Sequence, residues 1–481
     1  MPYKRHKNLG EVWKMSKKFV HPYVPNSAPK VQKEMMEFVG VKDLWELYEE
    51  IPEALKFRGK LDIPEPILDE YSIKKHTEEI LAKNKNCVEY SCFLGAGAAN
   101  HFIPAVVDEI TTRGEFLTCY GAESWADHGK YQTFFEYNSM LAELLGTEVM
   151  SVPQYDGGQA LATAIAMATR INGRKKVILP ELMSPTNKSI VENYMDSVQN
   201  DLKVEIIYVK ADPETGMIDM EKFKSIADET VAAVVIENPG FLGILEENSN
   251  EIGEITKSIG AEYIVYVNPI SLGILEAPAN YGATITCGDL HSLGLHMSAG
   301  NGQAGFISTQ GEVKYLENYK DFIYGLAEPE VEGEYVFGNM LIERTHYAKR
   351  AFGNEFTGTG TNLWMISAAV YMALMGPKGM EEVGRTILYN SQYAAKKISE
   401  IPSVKLRFNS PFFQEFVVDF NDTNKTVEEI NKALLEKKIF GGLDLSTDYP
   451  ELGQSAMYCV TEVITKEEVN NLVEQLTEIL K

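Results

Sequence analysis

The hydrophobic pattern is most regular between residues 76 and 330, where short apolar runs alternate with segments of helical periodicity. The run VAAVVIENP at 231–239 is typical of a strand buried on both faces. The segment YQTFFEYNSMLAELLG at 131–146 predicts an amphipathic helix that ends at Gly146. This alternation of strands and helices predicts a mostly parallel sheet covered by helices on both faces.

The two flanking regions have a different pattern. Residues 1–75 contain the proline-bearing stretches VHPYVPNSAP and LDIPEPILDEY with short helical patterns between them, which predicts an N-terminal arm over a larger body. Residues 331–481 combine helical patterns with the strand-like runs VKLRF and FQEFVVDF, which predicts a smaller α+β domain. A chain of 481 residues is too long to fold around one compact core. We therefore expect an arm at 1–75, a large α/β domain at 76–330 and a C-terminal domain at 331–481.

Charge and cysteine content narrow the classes of partner. The chain has 45 Lys and Arg against 69 Asp and Glu, a formal net charge of −24, which argues against nucleic acid and anionic membrane surfaces. Its five cysteines are scattered and form no C-x-x-C pair, so we expect neither a metal site nor a disulfide framework. The start MPYKRHKNLG has no apolar run, and we expect a cytoplasmic protein without a membrane span.

A glycine pair opens the helical segment GGQALATAIAMATRING. In QYDGGQALA, Gly157 and Gly158 stand where free backbone N–H groups and the helix dipole can bind an anion such as phosphate. A glycine pair in front of a helix is also a common turn, and the pattern alone leaves both interpretations open.

Two predicted strand ends carry further polar residues. In the strand end VYVNPISLG, Asn268 stands where lysine-based pyridoxal phosphate (PLP) enzymes of this layout carry an aspartate for the pyridine nitrogen. In GDLHS, Ser292 follows 24 residues later, at a spacing suited to the cofactor lysine, and serine cannot form an imine. His101, His291 and His296 are each an acid–base candidate or a hydrogen-bonded structural residue, and no HExxH motif is present.

Several blocks resemble one known family over nearly the whole chain. They are SCFLGAGAANHFIPAVVDEITTRGEFLTCY, FFEYNSMLAELLGTEV, YDGGQALATA, VNPISLGILEAPANYGA, GDLHSLG and MALMGPKGM. In this order they resemble the α chain, subunit 1, of the two-subunit glycine dehydrogenases (decarboxylating), the P-proteins of the glycine cleavage system. The resemblance implies the type I fold of PLP-dependent transferases, which is aspartate-aminotransferase-like.

The resemblance also implies the assembly and its chemistry. The α chain of that family lacks the lysine and pairs with a homologous lysine-bearing β chain as α2β2. PLP is then expected on the β subunit, with none bound covalently to this chain. The implied reaction decarboxylates glycine, a small amino acid, and passes the aminomethyl group to the lipoyl H-protein.

Four places depart from the family pattern. They are GAESWADHGK at 121–130, GTGTN at 358–362, Ser184-Pro185, and Asn268 where the family has aspartate. Because these loops are expected to face the shared active site, a homologous subunit acting on a different small amino acid is an alternative. A non-catalytic scaffold for the β subunit, and a self-sufficient enzyme that uses Ser292 or a histidine without PLP, are the others.

The residues expected at the shared site or the substrate channel are polar residues of these blocks and loops. They are Asn100, His101, Tyr120, His128, Tyr155, Asp156, Asn268, His291, Ser292 and Asn362. None is expected to be catalytic in this chain by itself, and no metal ligand is expected.

Overall fold

The computed structural model describes residues 23–57, 59, 61–117, 129–196, 203–298, 303–353 and 360–481. The chain divides into two compact units, Met1–Asn84 and Lys85–Lys481. The boundaries expected near 75 and 330 stay predictions.

The described part of the first unit consists of helices and connecting segments without a buried core. Helix α1 spans Pro29–Val39 and helix α2 spans Glu70–Leu81. Helix α1 begins with a proline, whose missing N–H costs nothing at a first helical position, and the carboxylate of Asp69 caps α2. No described residue of this unit is buried, and the side chain of Phe38 is 94% exposed. Both helices are amphipathic.

The second unit contains the strands. In chain order they are β1 (Ser91–Cys92), β2 (Val149–Met150), β3 (Lys176–Pro180), β4 (Glu205–Val209), β5 (Val231–Glu237), β6 (Glu262–Val267), β7 (Ile285–Asp289), β8 (Gly305–Thr309), β9 (Ile323–Ala327), β10 (Val336–Met340), β11 (Lys405–Leu406), β12 (Glu415–Asp419), β13 (Ile439–Phe440), β14 (Leu443–Asp444) and β15 (Ser455–Cys459).

The same unit contains the remaining α-helices. They are α3 (Ala105–Thr111), α4 (Tyr131–Leu145), α5 (Gly157–Asn172), α6 (Pro185–Met195), α7 (Met220–Ile226), α8 (Ser249–Ser258), α9 (Val313–Leu316), α10 (His346–Lys349), α11 (Asn362–Ser399), α12 (Val427–Glu436) and α13 (Lys466–Ile479). Helix α11 is interrupted at Gly376, which has a φ of 59° and directly precedes Pro377.

A seven-stranded sheet forms the centre of the second unit within the described residues, in the order β2-β8-β7-β6-β5-β3-β4. Strands β7, β6, β5, β3 and β4 are parallel, and β8 is antiparallel to both of its neighbours. The expected α/β class with a mostly parallel sheet is therefore confirmed. The reversed direction of β8 was not predicted, because an apolar run carries no information about strand direction.

The sheet is covered on both faces, as its apolar strands require. All seven residues of β5 are buried. Ala233 and Val235 belong to the core that contains α5 and α6, while Val234 and Ile236 belong to the core that contains α7 and α8. Successive residues of one strand therefore pack against helices on opposite faces.

The C-terminal part packs helices on a second sheet. Strands β11, β12, β15 and β14 form an antiparallel sheet in that order. Apolar residues of these strands share one core with the end of α11 and with α12 and α13. Strands β9 and β10 form a separate antiparallel pair that the sequence pattern did not predict.

Candidate functional site

A cavity of about 200 Å³ lies at the carboxyl ends of β5, β6 and β7. The beginnings of α5 and α6, the loop at 96–101 and the beginning of β12 complete its wall. Ligands of open α/β sheets bind outside the carboxyl ends of the strands, so this cavity is the candidate functional site.

The beginning of α5 forms one wall, and the protein's own carboxylates accept from two of its N–H groups. The N–H of Gly157 donates to Oδ2 of Asp289 (2.9 Å), and the N–H of Gln159 donates to Oδ1 of Asp156 (2.7 Å). A Cβ at Gly157 would overlap the hydroxyl of Tyr266, so only glycine fits this close approach. The carboxylate of Asp289 therefore stands at the helix N-terminus, where an anionic ligand would otherwise bind.

Asn268 and Ser292 are joined by hydrogen bonds. The hydroxyl of Ser292 donates to Oδ1 of Asn268 (2.7 Å), and Nδ2 of Asn268 donates to Oε1 of Gln414 (3.2 Å). Nε2 of Gln414 in turn donates to Oε1 of Glu415 (3.1 Å). Because the serine hydroxyl donates to an amide oxygen, which is not a general base, this arrangement gives no activated nucleophile.

Three carboxyl groups of the wall have strongly perturbed acidities. Burial raises the pKa of Glu237, Asp289 and Glu415 to about 7 each. Backbone hydrogen bonds from Gly157 and His291 to Asp289 oppose this shift but do not cancel it. Desolvation dominates, because a buried carboxylate loses more from leaving water than these donors return.

Two histidines of the wall have different environments. Nδ1 of His101 lies 2.9 Å from Oε2 of Glu462, and the ring centroids of His101 and His291 are 6.3 Å apart. Burial lowers the pKa of His291 to about 4, so its imidazole is neutral at physiological pH. Its buried Nε2 has no hydrogen-bond partner among the described residues. His296 instead contacts Asp108 at an exposed position away from the cavity.

The structure brings five of the expected site residues together in the cavity wall. They are His101, Asp156, Asn268, His291 and Ser292.

Three other expected residues are absent from that wall, while Tyr120 and His128 lie outside the described residues. The backbone carbonyl of Asn100 accepts from Thr461, Tyr155 is 42% exposed, and Asn362 is buried at the beginning of α11. The role of each at a shared site stays a prediction.

Sequence reasoning did not select Glu237, Asp289, Gln414 or Glu415. A signal existed for two of them, because Glu237 and Asp289 are acidic residues at the ends of otherwise apolar strands. An ionisable residue in such a position is costly unless it faces a cavity or a partner. Gln414 and Glu415 come from a segment remote in the chain, and no local pattern connects them to the sheet.

Neither a metal-binding cluster nor a membrane-spanning helix is present within the described ranges. No group of three or more His, Cys, Asp or Glu could hold a metal ion there. No helix in those ranges is long and apolar enough to cross a membrane.

Comparison with solved structures defines the class of the protein. A sphingosine-1-phosphate lyase from Burkholderia pseudomallei superposes with a TM-score of 0.63 at 12% identity, covering 89% of this chain and 94% of that one. A NifS-like protein from Rickettsia africae gives 0.58 at 15% identity, covering 80% of this chain and 99% of that one. The chain has the type I fold of PLP-dependent transferases.

Closer relatives define the family. The model of the glycine cleavage system P-protein family matches residues 21–476. A probable glycine dehydrogenase (decarboxylating) subunit 1 from Staphylothermus marinus is 36% identical, and the match covers 96% of this chain and 98% of the relative. The protein of the same description from Pyrococcus furiosus is 35% identical, and the match covers 95% of this chain and 99% of the relative. A crystal structure of an inhibitor-bound glycine decarboxylase (P-protein) superposes with a TM-score of 0.82 at 29% identity, covering 96% and 100%. The chain belongs to the glycine cleavage system P-protein family.

PLP belongs to this fold class, but the cavity residues do not fit it. No described residue of the wall is lysine or arginine, and Ser292 cannot form an imine. At the beginning of α5, where a phosphate would bind, the carboxylate of Asp289 already accepts the N–H of Gly157. Asn268 carries no charge to keep a pyridine nitrogen protonated. We therefore assign no reaction step to PLP in this cavity.

Proposed function

We propose that the chain is the lysine-free α subunit of a two-subunit glycine decarboxylase of the glycine cleavage system. The observation that carries the proposal is the Ser292–Asn268 hydrogen bond in a family member whose cavity wall has no described lysine. The cofactor and the decarboxylation then belong to a homologous β subunit that supplies the lysine. The aminomethyl group passes to the lipoyl H-protein, and the cysteine usage favours a cytoplasmic location.

Exposed apolar residues support a macromolecular partner. In Met1–Asn84 no described residue is buried, and Phe38, Leu55 and Tyr71 are 94, 75 and 79% exposed. Apolar surface of this extent is typical of a segment that becomes covered on association. We propose that this unit packs against the β subunit in an α2β2 assembly.

Reconstitution tests the proposal directly. The chain and its lysine-bearing homologue are purified separately, supplied with PLP and lipoyl H-protein, and assayed for exchange of bicarbonate with the glycine carboxyl group. We expect exchange only when both chains are present. Exchange by this chain alone would contradict the lysine-free role, while a mixture inert on glycine but active on another small amino acid would favour the alternative substrate.

A paired substitution separates a catalytic contribution from a scaffold. His101→Asn removes an imidazole from the cavity wall, and His296→Asn is the matched control at an exposed position. If this chain contributes to the shared site, the first change lowers exchange at least tenfold while the two chains still co-purify. Unchanged exchange in both variants would favour the scaffold.

A test of the helical unit uses one exposed residue. Phe38→Glu places a charge on the uncovered face of α1, and Lys33→Glu changes an exposed residue of the same helix. We expect only the first to weaken association with the β subunit at least tenfold, because it desolvates a charge at an apolar contact. Equal affinity of the two variants would place the contact elsewhere.

A further inference from the structure

The cavity at the ends of β5, β6 and β7 has a wall rich in carboxyl groups. Carboxyl groups of Asp156, Glu237, Asp289 and Glu415 line it, and no described lining residue is lysine or arginine. A wall of this kind repels phosphate and carboxylate and attracts cations. The acidic wall alone would not define a site.

A second observation indicates an absent hydrogen-bond partner. His291 lies in the same wall, is only 4% exposed, and its buried Nε2 has no partner among the described residues. Buried ring nitrogens are normally satisfied, so an unpartnered one calls for an explanation. In the neutral imidazole one ring nitrogen accepts a hydrogen bond, and a ligand N–H would satisfy it.

The size of the cavity excludes a single ion as its natural occupant. About 15 Å³ in the same measure holds one water molecule. The cavity offers about 200 Å³, which is room for several non-hydrogen atoms. The same wall disfavours glycine and other amino acids, because their carboxylates would lie among four acidic groups.

We propose that this cavity binds a small organic cation with a primary ammonium group and no carboxylate. The ammonium group offers three N–H donors, which match the carboxylates of the wall and Nε2 of His291. The cation also supplies a positive charge that no described lysine or arginine of the wall provides. Binding of such a cation is a property of this chain alone and can be measured without a partner subunit.

The acidities of the wall agree with an unfilled cation site. Burial holds the pKa of Glu237, Asp289 and Glu415 near 7, so each is partly protonated at neutral pH. The other titratable groups of the wall are Asp156, His101, His291 and Tyr266. A bound cation favours the ionised carboxylates, so binding at pH 7 should release protons into the buffer.

Calorimetric titration of the full-length chain tests the proposal. The probes are methylamine and 1,4-diaminobutane, with glycine, tetramethylammonium, potassium chloride and inorganic phosphate as comparisons, in buffers free of primary amines. We expect saturable 1:1 binding of at least one amine and proton release that shows as a buffer-dependent heat. Tetramethylammonium, which has no N–H donor, and the remaining comparisons should bind at least tenfold more weakly.

Substitutions locate the binding. Glu237→Gln and Glu415→Gln each remove one carboxylate of the wall, and Glu382→Gln is the matched control on the exposed surface of α11. We expect each cavity variant to weaken amine binding at least tenfold and the control to leave it unchanged, with circular dichroism verifying the fold. No saturable binding of either amine, equal binding of potassium, or wild-type affinity in both cavity variants would overturn the proposal. Glycine–bicarbonate exchange by the assembled complex is measured separately, so failure of one proposal is distinguishable from failure of the other.

Discussion

Replacement of Glu237 by glutamine should stabilise the protein at high pH and not at low pH. Glu237 ends the buried strand β5, and its oxygens accept from the side chain of Asn187 (3.4 Å) and the N–H of Phe241 (3.1 Å). Glutamine keeps an oxygen for the backbone donor, and the Asn187 amide can turn its own oxygen toward the new NH2 group. The change therefore removes the ionisable proton and preserves these two hydrogen bonds, while the N–H of Ser184, a third donor to the carboxyl group, keeps an acceptor only where it shares the remaining oxygen.

The magnitude follows from the acidity of Glu237. Burial raises its pKa from 4.5 to about 7 in the folded protein. Between these values the folded state holds a proton that the unfolded state has released, so stability falls as pH rises through this window and is constant above it. A difference of two to three pKa units corresponds to about 3 kcal/mol. Glutamine does not ionise, so the variant escapes this loss.

Urea unfolding at pH 4.5 and pH 8 measures the effect, in buffers without primary amines. The free energy of unfolding of Glu237→Gln should match that of the wild type at pH 4.5 and exceed it by about 3 kcal/mol at pH 8. Glu382→Gln, at an exposed position of α11, should follow the wild type at both pH values. A difference between Glu237→Gln and wild type that does not grow with pH would refute the assignment of a desolvated carboxyl group here.

Three further substitutions test packing and capping, each by thermal or urea unfolding. Gly157→Ala should destabilise by about 1–3 kcal/mol because its Cβ overlaps the hydroxyl of Tyr266, whereas Gly338→Ala, with open space at its Cβ, should have little effect; equal effects would contradict this reasoning. Thr465→Ala should cost about 1 kcal/mol by removing the capping box of α13, with serine at the same position retaining most of it, so a neutral alanine would contradict the assigned cap. Leu141→Ala should cost about 2–5 kcal/mol because the residue is fully buried in the core beside α11, and a loss below 1 kcal/mol would argue against that burial.

Elements with strong local signals were predictable from the sequence. Gly146 ends α4 with a φ of 70°, as its position after an amphipathic segment predicts. Helix α5 begins at the glycine pair, with Asp156 as its cap. Both depend on a few neighbouring residues, and that is the range over which sequence patterns carry information.

The sequence predicted some residues of the cavity wall but not its charge, because the charge depends on tertiary contacts. The pattern placed Gly157 at a helix N-terminus but left both a simple turn and anion binding open. The structure distinguishes them through Asp289, whose carboxylate accepts the N–H of Gly157 from a strand 132 residues away in the chain. The position of Gln414 and Glu415 in the same wall likewise depends on how the C-terminal segment packs.

The arrangement of the cavity implies that the missing lysine is one of several barriers to a phosphate-bearing cofactor. The carboxyl group of Asp289 in β7 accepts the first N–H of α5, so part of the helix N-terminus is already occupied. The amide of Asn268 is hydrogen-bonded to Ser292 and to Gln414. An amide is uncharged, so it cannot pair with a pyridinium. A lysine at 292 would therefore restore the imine partner without restoring the anion site. The polar residues at the strand ends together set the charge preference of the pocket, and this is why a cation, and not a weakened form of the cofactor, is the ligand that its chemistry favours.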